Sequence, residues 1–265
     1  MRGDRKHRAG AIAGLAMIAV FLVVAAGNVS AVTVLAGNLL IKVDGAISPK
    51  ALPREKPAPI SFHGSASVAT KDSSHIPPAL STELLVDKHI VIDTTGLPTC
   101  SKSELEASTP AAAMRACGDA LIGKGTSTAE VQFPEQSAFS AKGPLLAFNG
   151  PSGGSYGAGA YHEQLYYVYA DVPVPTALIA VAKVSRATGP YGYKISISIP
   201  RIAGGAGSFS GAEFTIDRKW THMGREHSFL SAECANGHFD SKVKVDFGDG
   251  SHVIGTVPQT CRTRG

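Results

Sequence analysis

The amino-acid sequence predicts an all-β fold, an antiparallel two-sheet β-sandwich that carries one short helix. Three observations favour this class. Apolar and polar residues alternate in several short segments, most regularly over 191–199, where three isoleucines fall on one face. Turn signals recur about every 8–12 residues and separate about ten to twelve strand-like segments. The 265 residues include 29 glycines and 16 prolines but only 17% charged side chains, which suits strands joined by turns better than a helical bundle.

Residues 1–31 have the features of a targeting segment. A basic start, MRGDRKHR, precedes an uninterrupted apolar run over 11–26, and Val29-Ser30-Ala31 fits the small-residue pattern for cleavage after Ala31. The run of about 16 residues is shorter than the ~20 that a membrane-spanning helix needs. We therefore expect a helical signal peptide over 1–31 and a secreted or cell-envelope-associated mature chain over 32–265. The alternative is an uncleaved N-terminal anchor, which would be the chain's contact with a membrane.

The formal net charge of +4 is concentrated in the targeting segment. Four basic residues against Asp4 contribute three of these charges before residue 10, so the mature chain is close to neutral. Nucleic-acid binding requires a basic face on the folded domain. The sequence therefore predicts no nucleic-acid partner.

The first strands of the mature chain are predicted from alternating apolar residues. One or two strands are expected over 32–43, followed by a turn at Asp44-Gly45. Four prolines within 48–59 exclude a central strand, so this segment is expected to cross as an extended loop. Further strands are predicted at 60–70 and at 84–93.

The strongest helix signal lies over 103–117. Thr109 can cap the helix and Pro110 can occupy its first position. Alanines and a methionine follow, and Gly118 stands just past the end. A disulfide between Cys100 and Cys117 would hold this helix against the strand before it.

The four cysteines, Cys100, Cys117, Cys234 and Cys261, all lie in the part expected to be exported. An even number in an oxidising compartment predicts two disulfides. Three connectivities can be drawn, of which pairing of neighbours is the simplest, and four buried free thiols are the alternative. The spacing favours no zinc site, because the chain has no C-x-x-C motif.

Only strands are predicted from the sequence of the second half of the chain. They are expected at 120–133, 144–148, 165–171, 176–184, 191–199, 213–217, 228–234, 242–247 and 252–257. Gly248-Asp249-Gly250 predicts a hairpin turn between the last two. Loops are expected at 134–143 and at the glycine-rich 149–159. The mature region would divide near 134–143 if it formed two small sandwiches instead of one large one.

Four segments together resemble a family of exported, uncharacterised proteins from high-GC Gram-positive bacteria. They are AGNLLIKVDGAISPKALPREKPAPI, the GLPTC corner, CGDALIGKG, and GPYGYKISISIPRIAGGAGSFSGAEFTI running on to the last two cysteines. The resemblance covers nearly all of the mature chain. It implies export and the same order of elements, and it implies no activity, ligand or catalytic residue.

Two motifs were considered for catalysis or metal binding. Residues 150–154 match G-x-S-x-G, but a nucleophile elbow needs a helix directly after the serine, and the following Gly-rich residues favour a loop. His222 and His227, which lie beside Glu226, could build a metal site with Glu233, although surface histidines in a hairpin loop explain them better. We predict no catalytic residue, no metal and no cofactor.

All seven tyrosines lie between Tyr156 and Tyr193. Tyrosine combines a large apolar body with a polar tip, which suits both a core and a contact surface. The core is one interpretation. The other is a binding strip for an envelope glycan or protein, formed by Tyr156, Tyr161, Tyr167 and Tyr169 with the loop at 149–159.

These observations predict a non-enzymatic, secreted or envelope-associated binding or structural module. The alternative is a secreted hydrolase on a β scaffold. A deep pocket that gathers His, Ser and carboxylate side chains would favour the hydrolase. A tyrosine-lined face without a converging acid and base would favour binding.

Overall fold

The computed structural model describes residues 32–106, 109–154, 159–170 and 175–264. The predicted signal peptide lies outside the described residues. The described chain is mostly strand, with two short α-helices. None of the described helices has the length and apolar character to cross a membrane.

The helices are α1 (Lys102–Leu105) and α2 (Pro110–Cys117). The strands are β1 (Val32–Ala36), β2 (Leu39–Ser48), β3 (Ala51–Leu52), β4 (Ala58–Pro59), β5 (Ser61–Thr70), β6 (Ala79–Asp87), β7 (Ile90–Ile92), β8 (Leu121–Val131), β9 (Phe139–Gly153), β10 (Tyr161–Ala170), β11 (Thr176–Arg186), β12 (Tyr191–Ser198), β13 (Gly207–Ile216), β14 (Lys219–His222), β15 (Arg225–Ser228), β16 (Leu230–Ala232), β17 (His238–Phe247), β18 (His252–Thr260) and β19 (Arg262–Thr263).

Twelve strands form one antiparallel sheet in the order β1-β2-β5-β13-β8-β9-β10-β11-β12-β6-β17-β18. The two outermost strands, β1 and β18, lie beside each other, so the sheet is nearly closed. The all-β, antiparallel prediction is confirmed. The arrangement differs from the predicted two-sheet sandwich, because these twelve strands belong to one continuous sheet that curves back on itself.

The pairing register separates an inner from an outer face, because cross-strand partners point to the same side of a sheet. Small residues occupy the inner face where β5, β13, β8 and β9 are neighbours: Ala66 pairs with Ala212, Ala212 with Ser127, and Ser127 with Gly143. A Cβ atom on Gly143 would collide with the carbonyl oxygen of Tyr169 on the neighbouring strand. Glycine is required there because β9 and β10 approach closely.

One end of the enclosed interior is filled with apolar side chains. We call it the plugged end, defined by Ile47 at the end of β2 and Ile216 at the end of β13. A small sheet of β4, β16 and β7 packs there. The cluster contains Ile47, Leu52, Ile60, Ile122, Ile216, Phe229, Leu230 and Phe239 together with Cys234 and Cys261.

A second core lies on the outer face. The segment carrying α1 and α2 covers β9 and β10 there, and Leu105 and Ala113 are fully buried. Their partners on the sheet are Leu146, Phe148, Leu165 and Tyr167. The Thr109 hydroxyl accepts a hydrogen bond from the Ala112 amide at 3.3 Å, which confirms the predicted helix start.

Both neighbour disulfides are confirmed. Cys100 is bonded to Cys117, and Cys234 to Cys261. The first disulfide joins the start of the helical segment to the end of α2. The second joins Cys234, which precedes β17, to Cys261, which follows β18. The predicted hairpin turn is also confirmed, with Gly250 at a φ of 83°.

Two local predictions were wrong. The first turn lies at Gly37-Asn38, where Gly37 has a φ of 58°, and β2 continues through Asp44-Gly45. Residues 139–143 and 149–153, expected in loops, belong to the long strand β9. In both places the partner strand supplies ladder hydrogen bonds that override the local turn preference of glycine.

Candidate functional site

The three described tyrosines of the predicted strip do not share one surface. Tyr167 is 0% exposed and belongs to the outer core beneath the helical segment. Tyr161 and Tyr169 lie at opposite ends of β10, about 26 Å apart at ~3.3 Å per residue. Tyr156 lies outside the described residues. The structure thus places Tyr167 in the core and separates Tyr161 from Tyr169.

Tyr166 points to the inner face between these residues. Its hydroxyl donates a hydrogen bond to Gln164 Oε1 at 2.7 Å. Burial raises the pKa of Tyr166 to about 12, so the phenol stays neutral. Gln164 is itself 2% exposed, and the pair satisfies two polar groups inside the sheet.

An apolar cavity of about 420 Å³ lies at the end of the interior opposite the plugged end. We call it the apolar cavity. It is bounded by β8, β9, β10, β11 and β13. Its lining residues are Ser127, Ala129, Val131, Phe133, Gln136, Phe139, Ala141, Gly143, Val168, Tyr169, Ala170, Thr176, Leu178, Ile202, Ala203 and Phe209.

None of the described residues that line the apolar cavity has a charged side chain. The space exists because inward positions of β8 and β9 hold small residues, such as Ala129 opposite Ala141. Larger inward side chains, including Leu178 and Phe209, form the opposite walls. This end of the interior is therefore hollow, whereas the plugged end is filled.

Two phenylalanines flank the mouth of the apolar cavity. Phe133 and Phe139 are 38% and 39% exposed, and their ring centroids lie 6.4 Å apart. The connection from β12 to β13 passes over the same end and places Ile202 and Ala203 against the cavity. Three consecutive residues of this connection, Ala203 to Gly205, have positive φ.

A second pocket of about 490 Å³ lies near the plugged end, where β9 ends and β10 begins. We call it the rim pocket. Its lining residues are Ile92, Thr94, Ser152, Gly153, Gly154, Ala160, Tyr161, His162, Val184, Ser185, Arg186 and Tyr193. In contrast to the apolar cavity, it contains a cationic side chain and an imidazole.

His162 is the most perturbed group in the rim pocket. Its Nε2 atom is buried and has no hydrogen-bond partner. Burial, and secondarily the positive charge of Arg186, lower the pKa of His162 to about 4. The imidazole is therefore neutral at neutral pH.

Ser152 of the G-x-S-x-G motif lies directly opposite His162 in the β9–β10 register. His162 Nε2 makes no hydrogen bond to it, and no carboxylate lines the rim pocket. Ser152 also sits in an extended strand, whereas a nucleophile elbow requires a tight turn before a helix. The described lining therefore lacks the arrangement that nucleophilic catalysis requires.

His227, one of the two histidines of the possible metal site, contacts an aspartate and a tryptophan instead of a glutamate. His227 Nδ1 lies 2.8 Å from Asp93 Oδ2, and its ring stacks on Trp220 at 5.4 Å. Glu226 and Glu233 form no ion pair with it among the described residues. Asp93 could not be recognised as this partner from the sequence alone, because the contact spans 134 residues.

One described group of side chains has ligand atoms close enough for a metal, namely Cys100, Glu104 and Cys117. Both sulfurs form the disulfide, so neither is a thiolate ligand. Glu104 instead accepts hydrogen bonds from the amide and the hydroxyl of Ser101, both at 2.7 Å. This group caps α1.

Sequence reasoning missed the apolar cavity. The inward residues of β8 are mostly glycine, serine and alanine, which show no apolar alternation. The signal that could have found it is the excess of small residues at inward positions of adjacent strands. That signal needs the pairing register, which the sequence alone does not supply.

Comparisons with known proteins find no matching family model, no matching curated protein and no matching solved structure. The functional argument therefore rests on the two pockets and their residues.

Proposed function

We propose that this chain is an exported, non-enzymatic binding protein that holds an apolar ligand, such as a fatty acyl chain, in the apolar cavity. The observation that carries the proposal is a hollow of about 420 Å³ inside the sheet whose described lining residues are all uncharged. Pockets for small molecules are typically ~300–1,000 Å³ and mainly apolar, with few polar groups. Ser127 and Gln136 are among the polar side chains of the described lining that could orient a ligand.

The driving force for such binding is the burial of methylene groups. Each buried CH₂ contributes roughly 0.8 kcal/mol, so an acyl chain gains affinity with each carbon that enters. In an empty apolar cavity, the atoms of the walls lack the dispersion contacts that a packed interior provides. A linear apolar chain would restore those contacts with Ala129, Ala141 and Leu178.

The chemistry of the lining supports binding over hydrolysis. The described residues that line the apolar cavity include no imidazole, carboxylate or thiol, so they supply no general acid or base of the usual kind. The rim pocket contains Ser152 and His162 without a connecting hydrogen bond. A glycan or protein partner at Tyr161 or Tyr169 stays a prediction from the sequence.

Export and an envelope location complete the proposal. Disulfides persist in oxidising compartments, and the two disulfides of this chain are compatible with such a location. The apolar run at 11–26 and the resemblance to exported proteins of high-GC Gram-positive bacteria point the same way. An envelope contains abundant acyl chains, which are ligands of the class that the cavity fits.

A titration with the fluorescent fatty acid cis-parinaric acid tests the proposal. Ala141 lies on the inner face of β9, so Ala141→Phe should fill the apolar cavity and weaken binding roughly tenfold or more, a loss of about 1.4 kcal/mol or greater. Ser140→Phe adds the same ring to the outer face of the same strand and is the matched control. Equal affinities in the wild type and both variants would contradict the proposal.

A further inference from the structure

The rim pocket has a chemical character that the proposed function does not use. Arg186 lines it and stacks on the ring of Tyr193, with 4.5 Å between Cζ and the ring centroid. Among the described residues Arg186 forms no ion pair. The lining contains no carboxylate that could neutralise it. The pocket therefore carries an uncompensated positive charge.

His162 adds an unused hydrogen-bonding atom beside that charge. Its Nε2 atom is shielded from solvent without a partner, whereas almost all buried polar atoms in native proteins are paired. A hydrogen bond from a bound ligand would satisfy this atom, for which the described residues supply no partner. Arg186 and His162 both line the rim pocket, so the cation and the imidazole face the same space.

From this arrangement we propose that the rim pocket binds a small oxyanion, either a carboxylate or a phosphate. The guanidinium of Arg186 offers charge and paired donors that match such groups. The neutral imidazole of His162 donates from Nε2 in the tautomer that carries its proton there. The hydroxyl of Ser152, directly opposite His162 on β9, lines the same space.

The rim pocket also has aromatic and glycine residues in its lining. They are Tyr161, Tyr193, Gly153 and Gly154. The site lies at the opposite end of β10 from the apolar cavity, with the buried Gln164 and Tyr166 between them. The two sites are independent, and either can be tested without the other.

Titrating the purified protein with inorganic phosphate and, separately, with acetate tests the site. Nitrogen-15 NMR of the histidine side chains follows His162, whose signal is assigned from the variant H162Q. We expect one of the two anions to shift the His162 resonances and to raise its pKa from about 4, because a bound negative charge favours the imidazolium. Phosphate and acetate thereby distinguish the two sources of the oxyanion.

Two variants make the test specific. Arg186→Gln should weaken anion binding roughly tenfold or more, the loss expected for a charge-assisted pair of hydrogen bonds. Lys142→Gln is the control, since it removes a cation near the opposite end of β9 whose side chain does not line the rim pocket. Unchanged His162 resonances in the wild-type protein with both anions would overturn the proposal. Equal loss of binding in both variants would also overturn it, because it would indicate general charge screening.

Discussion

The side chain of His162 links the stability of this fold to pH. Burial and the nearby Arg186 hold its pKa at about 4 in the folded chain, against an ordinary value of 6.5. Between these two values the unfolded chain binds a proton that the folded chain excludes. The free energy of unfolding therefore falls as the pH is lowered through this window, and it is fully retained above the ordinary pKa.

The variant H162Q should remove this part of the pH dependence. We expect the wild type to lose up to ~3 kcal/mol more unfolding free energy than H162Q between about pH 7 and pH 4, at about 1.4 kcal/mol per pKa unit. Urea unfolding of both proteins across this range measures the difference. Parallel pH profiles for the two proteins would show that His162 is accessible to protons in the folded state.

The residue scale also shows what the sequence could and could not reveal about the sites. The cysteines were paired correctly because neighbours in sequence leave short loops to close. The opposition of Ser152 and His162 was not predicted, because it depends on an irregularity in the β9–β10 register between His162 and Gln164. The Asp93–His227 contact was missed because elements far apart in the sequence bring the two residues together.

At the scale of elements, the segment with α1 and α2 protects the outer face of the sheet. The disulfide of Cys100 and Cys117 fixes this segment above Phe148 and Tyr167. Closing a loop of 17 residues is worth roughly 3 kcal/mol in the chain-entropy description. The position of the α1–α2 segment over the sheet should therefore depend on this disulfide more than on the helices themselves, which are too short to be stable alone.

Replacing both cysteines tests that dependence. The double variant C100S/C117S should lose roughly 3 kcal/mol of unfolding free energy and show faster hydrogen exchange in β9 and β10 around Phe148 and Tyr167. The control C234S/C261S should lose a similar amount but accelerate exchange at the plugged end. Identical exchange patterns in the two variants would contradict a local role for the helical segment.

Strand prediction succeeded where the pattern is strictly alternating and failed where inward residues are small. The isoleucines of β12 identified it, and the pairing of Ile195 with Val184 confirms its buried face. The first half of β13, Gly207 to Ala212, carries no such pattern and was not predicted. Its glycines and serines belong to a strand because β8 pairs with it from Gly207 onward, and β5 joins on the other side from Gly211.

On the scale of the whole molecule, one nearly closed sheet replaces the expected sandwich. Alternation shows that one face of each strand is buried, but it does not show whether that face meets another sheet or the same sheet after a turn. The closure depends on β1 and β18, the two ends of the sheet order, which lie beside each other. A sheet that curves in this way encloses a volume, and the small inward residues leave part of it empty.

That empty volume is the basis of the proposed function, and one measurement tests it most directly. A uniformly carbon-13-labelled fatty acid is added to the protein, and nuclear Overhauser effects from its methylene protons to protein methyl groups are recorded. We predict contacts to Ala129, Ala141 and Leu178, which line the apolar cavity. Contacts confined to exposed side chains such as Met223, which is 89% exposed, or no contacts at all, would contradict the account.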